Sequence, residues 1–273
     1  MDGKERSGRY EMNAPTFHCD HTGALQVGHL GNYMLNAADY HATERGFGWH
    51  YLKSINKAWV LSRLCIEMTE MPKANEHFYI ETWLESVKRY FTYRNFRIED
   101  AATGKVMGHA RSVWALIDST TRQPVDLMEV NEGDIATWVN TERHCDIAPP
   151  GRARMTDEAS LAATVTAQYT DIDVNGHVNS MKYIEHILNL FPMEWHEHNR
   201  IRRFDVAYVA EAYCGDRLDF FTQTMPDGSI AVKITRTGAA EVNKEVVRCV
   251  LVIDNFASLC KRQASLFDKK IFH

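Results

Sequence analysis

The sequence lacks any apolar run approaching the roughly 18 to 20 residues that a membrane-spanning helix requires. Its opening stretch, MDGKERSGRYEMN, is polar and has no apolar core of the secretory kind. No membrane span is therefore expected, and the cytoplasm is the expected compartment. Cysteine is thinly spread: the six, at 19, 65, 145, 214, 249 and 260, include no CxxC pair. That argues against a disulfide framework or a structural zinc site, and most of them read as small buried hydrophobes. Basic charge is also short, with 31 Lys and Arg against 36 Asp and Glu and a formal net charge of −5. A general nucleic-acid binder needs the opposite balance, and no helix-turn-helix pattern is evident.

What is present is enough apolar material, 45% of 273 residues, for one large domain or two ordinary ones. Two segments read as one module used twice. FHCDHTGALQV (17–27) and TVTAQYTDIDV (164–174) are strand-like, and each leads through Gly-His into a helical pattern. In the first helix Met34, Ala37, Ala38 and His41 share a face, with Gly46 as C-cap. In the second Met181, Ile184, Leu188 and Phe191 do so, with Pro192 as the stop.

Alternating strand patterns follow at 77–87, 89–100 and 108–118, and again at 216–225, 229–238 and 244–254. A long helix followed by an antiparallel meander, repeated, predicts an α+β fold in which each sheet wraps its helix. The expected boundaries are a polar N-terminal segment (1–14), a first module (15–140), a linker around Pro149-Pro150-Gly151 (141–155), a second module (156–260) and a tail (261–273).

In TDIDVNGHVNSMKY (170–183), Asp173, Asn175 and His177 occupy every second position. If the segment is extended, all three project to one side. Asn175-Gly176 then turns the chain into the helix, leaving His177 beside a helix N-terminus that favours developing negative charge. A carboxylate or imidazole that takes a proton from water, beside an amide or backbone N–H that holds an oxyanion, suits hydrolysis of an acyl bond. The same residues also suit a plain turn with a capped helix and a solvated histidine. Registering His29 on His177 sets Leu25 opposite Asp173 and Val27 opposite Asn175, which predicts one active module and one inactive module lining an apolar pocket.

The segment DVNGHVNSMKYI (173–184) resembles the DxNxHVNNxKYI motif of acyl-ACP thioesterases, the plant FatA/FatB type and their shorter bacterial relatives. WVLSRLCIEM (59–68) and RSVWALIDSTTRQP (111–124) are similar to further segments of that family, and the likeness runs from about residue 15 to 255. The resemblance implies a tandem hot-dog fold, hydrolysis of acyl-ACP to free fatty acid in fatty acid biosynthesis, acyl carrier protein as partner and no cofactor. It implies catalytic roles for Asp173, Asn175 and His177, and for Glu211 in AYVAEAYCGD; which carboxylate is the base stays open. A cysteine commonly follows that acid in plant members, whereas Ala212 stands here and Cys214 lies two residues on. Direct attack by water is therefore favoured. Acyl-CoA hydrolysis, hot-dog hydration or dehydration, and acyl sensing are the rival readings.

Met34, Trp59, Trp83 and Trp114 are candidates for lining the acyl pocket. Of two basic clusters, Arg200, Arg202 and Arg203 form the preferred dock for an acidic carrier protein; Lys88, Arg89, Arg94 and Arg97 read as a solvated strand face. HCDH (18–21) and HEH (196–198) place too few ligands on one side for a metal, and none is expected. Two modules in one chain leave monomer and homodimer both open.

Overall fold

The computed structural model describes residues 5–151, 154–156, 158–239 and 241–255. The chain divides into two compact units, with a boundary after Gly151, except that Val206–Tyr208 group with the first. The first unit runs β1 (Ser7–Asn13), a 3-10 turn at Thr16–His18, α1 (Val27–Thr43), α2 (Trp49–Ser54), β2 (Lys57–Met68), β3 (His77–Val87), β4 (Phe91–Asp100) and β5 (Val106–Asp118). Its strands lie side by side in the order β1-β3-β4-β5-β2, all neighbours antiparallel.

The second unit repeats the plan: β6 (Ser160–Thr166), a 3-10 turn at Tyr169–Asp171, α3 (Ser180–Leu188), α4 (Met193–His198), β7 (Asn199–Tyr208), β8 (Arg217–Thr224), β9 (Ile230–Thr237) and β10 (Lys244–Asn255). The order β6-β8-β9-β10-β7 matches the first unit strand for strand.

Three elements differ from the sequence reading. Ser7–Asn13 is an edge strand paired with β3, so the first module begins before residue 15. The segments read as strands at 17–27 and 164–174 are mostly turns, with strand only to Thr166. Helix α3 ends at Leu188, with Asn189 as its C-cap, so Phe191 lies beyond it and Pro192 opens the next helix as N-cap of α4. The expected tail at 261–273 lies outside the described residues.

Helix α1 buries Leu30, Met34, Ala37, Ala38 and His41, and Tyr33 meets Phe78 of β3 edge-on at 5.9 Å. Phe78, Ile80, Phe96 and Ile98 are fully buried, and alternation puts them on that same helix-facing side. Each such side chain contributes about 1.5 to 3 kcal/mol by leaving water.

His41 is the polar member of this stripe. Its Nε2 lies 3.1 Å from the Arg6 carbonyl, and burial, then the Arg94 and Arg45 charges, lower its pKa from 6.5 to about 2. The unfolded chain therefore binds a proton on His41 between those pH values while the folded chain does not, so stability falls as pH drops below about 6.5, by up to about 1.4 kcal/mol per pH unit. The urea midpoint is expected to fall between pH 7 and pH 5, and His41→Gln to flatten that dependence.

Candidate active site

The segment from Asp173 to His177 is a tight loop, which corrects the extended reading. The Asp173 N–H donates to the His177 carbonyl at 2.9 Å and the Gly176 N–H to the Asp173 carbonyl at 3.0 Å. Gly176 has φ of +81°, a conformation glycine adopts without strain. Asp173 Oδ1 accepts the Asn175 N–H at 2.8 Å, so this carboxylate builds the turn that carries the amide. Asn175 Nδ2 reaches Asp173 Oδ2 at 3.5 Å. Helix α3 starts at Ser180, beyond His177, and the Asn179 side chain accepts the Met181 N–H. That helix-end donor is therefore already used.

The loop is tied to a distant part of the chain: the Val178 N–H donates to the Ala212 carbonyl at 2.8 Å. This bond sets the residues next to it, His177 and Glu211, side by side, and His177 Nε2 lies 3.3 Å from Glu211 Oε2. The two side chains are 21% and 29% exposed, reachable by solvent yet partly shielded. Cys214 is exposed; among the described residues no hydrogen bond joins it to His177, so it lacks the adjacent base that a nucleophilic thiol needs.

Sequence reasoning did not find Asp171 or His186. Asp171 Oδ1 and His186 Nε2 lie 3.0 Å apart, and Asp171 Oδ2 accepts the Gln168 N–H at 2.8 Å. The pair fastens the 3-10 turn before the loop to α3.

The first module contains the same loop, and its hydrogen bonds fix the register. The Asp20 N–H donates to the Ala24 carbonyl at 2.8 Å, the Gly23 N–H to the Asp20 carbonyl at 2.9 Å, and Asp20 Oδ1 accepts the Thr22 N–H at 2.8 Å. Gly23 has φ of +74°, and Cys19 bridges Leu25 as Ile172 bridges Val178. Asp20 thus falls on Asp173, Thr22 on Asn175 and Ala24 on His177. The Leu25 N–H donates to the Pro72 carbonyl, which sets Met71 on Glu211.

This overturns the register of His29 on His177. The first module's loop keeps the aspartate and the glycine and lacks the histidine, the amide and the glutamate. His29 instead stacks on His18 at 4.1 Å.

The proposed acyl-lining residues do not share one side of the sheet. Met34 and Trp83 are both fully buried, but Trp83 alternates with Leu84 and points away from α1. Trp59 and Trp114 are half-buried on the helix side, opposite Leu116 and Thr92 in the ladder. Trp59 also lines a small apolar cavity with Phe47, Leu52, Leu116, Leu127 and Ile135. Trp83 therefore cannot line a pocket with the other three.

The basic clusters change as well. Arg203 is 8% exposed and grips Asp205 with two hydrogen bonds of 2.8 Å, which removes it from any docking surface. Arg200 and Arg202 both reach Asp254, at 2.9 and 3.5 Å. Arg94 is not on a solvated face: it is buried, donates to Thr82 Oγ1 at 3.1 Å, and burial lowers its pKa to about 9. Among the described residues no group of three or more His, Cys, Asp or Glu could hold a metal ion. No described helix is long and apolar enough to cross a membrane.

Two family models match the chain, the acyl-ACP thioesterase N-terminal domain over residues 6–132 and the C-terminal domain over 154–258. The crystal structure of an acyl-ACP thioesterase from Bacteroides thetaiotaomicron is similar at 44% identity and a TM-score of 0.83, covering 91% of this chain and 98% of that one. The chain belongs to the acyl-ACP thioesterase family. Its two units are accordingly hot-dog modules, the tandem arrangement expected from the sequence. The 12:0-ACP thioesterase from Umbellularia californica shares that fold, with a TM-score of 0.80 at 19% identity over 93% of this chain and all of that one.

Among curated relatives, oleoyl-acyl carrier protein thioesterase 2 of Arabidopsis thaliana is 24% identical over 79% of this chain, and a palmitoyl-acyl carrier protein thioesterase of Gossypium hirsutum is 23% identical, also over 79%. This acyl-ACP thioesterase family member spans 62% and 53% of those two proteins' lengths. Asp173, Asn175, His177 and Glu211 all fall within the C-terminal domain match.

Proposed function

We propose that this protein hydrolyses the thioester of acyl carrier protein, releasing a free fatty acid and the carrier thiol. The observation that supports this most is the His177–Glu211 contact at 3.3 Å, beside a loop that presents the Asn175 amide. In this reading Glu211, with His177, takes a proton from water as the water oxygen bonds to the thioester carbon. The carbonyl π electrons move onto oxygen, where the Asn175 side-chain N–H donates to the developing oxyanion. A donor of that kind is worth about 10² to 10³ in rate. Collapse re-forms the carbonyl and breaks the C–S bond, and the departing thiolate takes the proton held by the Glu211–His177 pair.

Glu211 rather than Asp173 is the base in this scheme, because the aspartate has a structural duty in both modules. Asp173 holds the loop so that Asn175 and His177 face the thioester. Arg200 and Arg202, at 30% and 36% side-chain exposure, are the members of the basic cluster left to meet an acidic carrier protein.

The test is thiol release from acyl-ACPs and the matched acyl-CoAs. Faster turnover of the ACP substrates, with a KM raised by Arg200→Glu and Arg202→Glu together, is the expected result. Turnover of acyl-CoA alone would assign the protein to the rival thioesterase class.

A further inference from the structure

The turn that follows Glu211 has the same backbone in both modules but a different side chain at one position. The Tyr213 N–H donates to Asp216 Oδ2 at 2.9 Å, and its counterpart, the Lys73 N–H, donates to Glu76 Oε2 at 2.8 Å. Gly215 and Asn75 both have positive φ, +87° and +65°, and their N–H groups donate to Ala167 and Ala14. The local fold therefore does not require an aromatic ring here. The module that holds the histidine and the glutamate has one.

Tyr213 touches both of those residues. Its hydroxyl lies 3.4 Å from Glu211 Oε2, the same oxygen that faces His177. Its ring meets the His177 ring edge-on, with centroids 5.1 Å apart. The Arg236 guanidinium lies 5.3 Å from the Tyr213 ring centroid. Arg236 is only 9% exposed and is held by Asp216 at 3.3 Å and Glu241 at 2.6 Å. A buried, doubly anchored cation thus steadies a ring that is itself 42% exposed.

We infer that Tyr213 is a positioning residue for hydrolysis, donating its hydroxyl hydrogen to Glu211 and setting the His177 ring against it. The inference rests on Glu211 being the base. At 3.4 Å the hydrogen bond is long, as such bonds often are before substrate is bound. It favours the ionised carboxylate, the form able to accept a proton. The groups facing Glu211 in this account are His177 from the loop and Tyr213 from its own turn, with Arg236 of β9 and Asp216 behind the tyrosine.

Tyr213→Phe removes the hydroxyl and keeps the ring. The expected result is a kcat lowered about threefold to tenfold, the worth of one hydrogen bond, with KM and thermal midpoint unchanged. The acid limb of the kcat/KM profile moves to higher pH, because Glu211 loses a donor to its charged form. In a Glu211→Gln background the same substitution has no further effect, whereas a merely structural role would give the same factor in both backgrounds. Wild-type kcat and an unmoved acid limb in Tyr213→Phe, beside a crippled Glu211→Gln, would overturn the inference alone. Full activity in Glu211→Gln would instead overturn the base assignment beneath it.

Discussion

Glu211→Gln lowers acyl-ACP hydrolysis by about a hundredfold to ten-thousandfold, the range over which a positioned general base contributes. The change keeps the shape of the side chain and removes its ability to accept a proton. Because the Glu211 side chain is 29% exposed and the backbone bond from Val178 to Ala212 is untouched, no cavity opens and the loop stays tethered. Thermal midpoint therefore stays within about 2 °C of wild type, since substitutions of this kind away from the core usually cost under about 0.5 kcal/mol. The matching substitution at the other carboxylate separates the two roles. Asp173→Asn retains an oxygen that can accept the Asn175 N–H, so it preserves the turn and is milder by at least about tenfold. Single-turnover thiol release from acyl-ACP measures both. An Asp173→Asn enzyme as damaged as Glu211→Gln would move the base to the aspartate.

The strands β3, β4, β5, β8, β9 and β10 were legible because each alternates cleanly between turns rich in Gly, Asp and Pro. The strand β7 was not, since its Arg-rich start reads as a charged surface. The missed signal is Arg203-x-Asp205: two residues apart on a strand they share a face and neutralise each other, as Arg217 and Asp219 also do at 2.7 Å.

The acid, amide and imidazole were legible as types, but their geometry was not. A segment alternating polar and apolar residues looks extended, and only the positive φ at Gly176 and the hydrogen bond from Asp173 to His177 close it into a loop. The internal register slipped for a related reason. Gly28-His29 mimics Gly176-His177 in composition, while the backbone repeats Asp20-x-Thr22-Gly23 as Asp173-x-Asn175-Gly176. That Asp-x-Thr/Asn-Gly spacing was present in the sequence, and it marks turn chemistry rather than catalytic chemistry. Glu211 could be matched from the family segment, but its meeting with His177 depends on a long-range backbone bond that no local pattern encodes.

The pseudo-repeat supplies an internal control for the second large effect. Asp20→Ala and Asp173→Ala are both expected to cost stability, about 1 to 2 kcal/mol, because both remove a carboxylate that accepts a backbone N–H two residues on at 2.8 Å. Asp20→Ala costs at least as much, since Asp20 Oδ1 also accepts the Thr22 hydroxyl at 2.6 Å and the Ala24 N–H at 3.2 Å. Their effects on turnover diverge. The Asp20 loop carries Thr22 and Ala24, neither an amide nor an imidazole, so loosening it is expected to leave hydrolysis within about twofold of wild type. The Asp173 loop carries Asn175 and His177, and a displacement of about 1 Å in such groups is worth about a hundredfold in rate. Chemical denaturation and acyl-ACP turnover, measured on the same two variants, therefore give a stability loss at least as large for Asp20→Ala in the first and a far larger loss for Asp173→Ala in the second. Equal losses of turnover would mean that the first module's loop also contacts the reacting thioester, and the division into a scaffold copy and a working copy would fail.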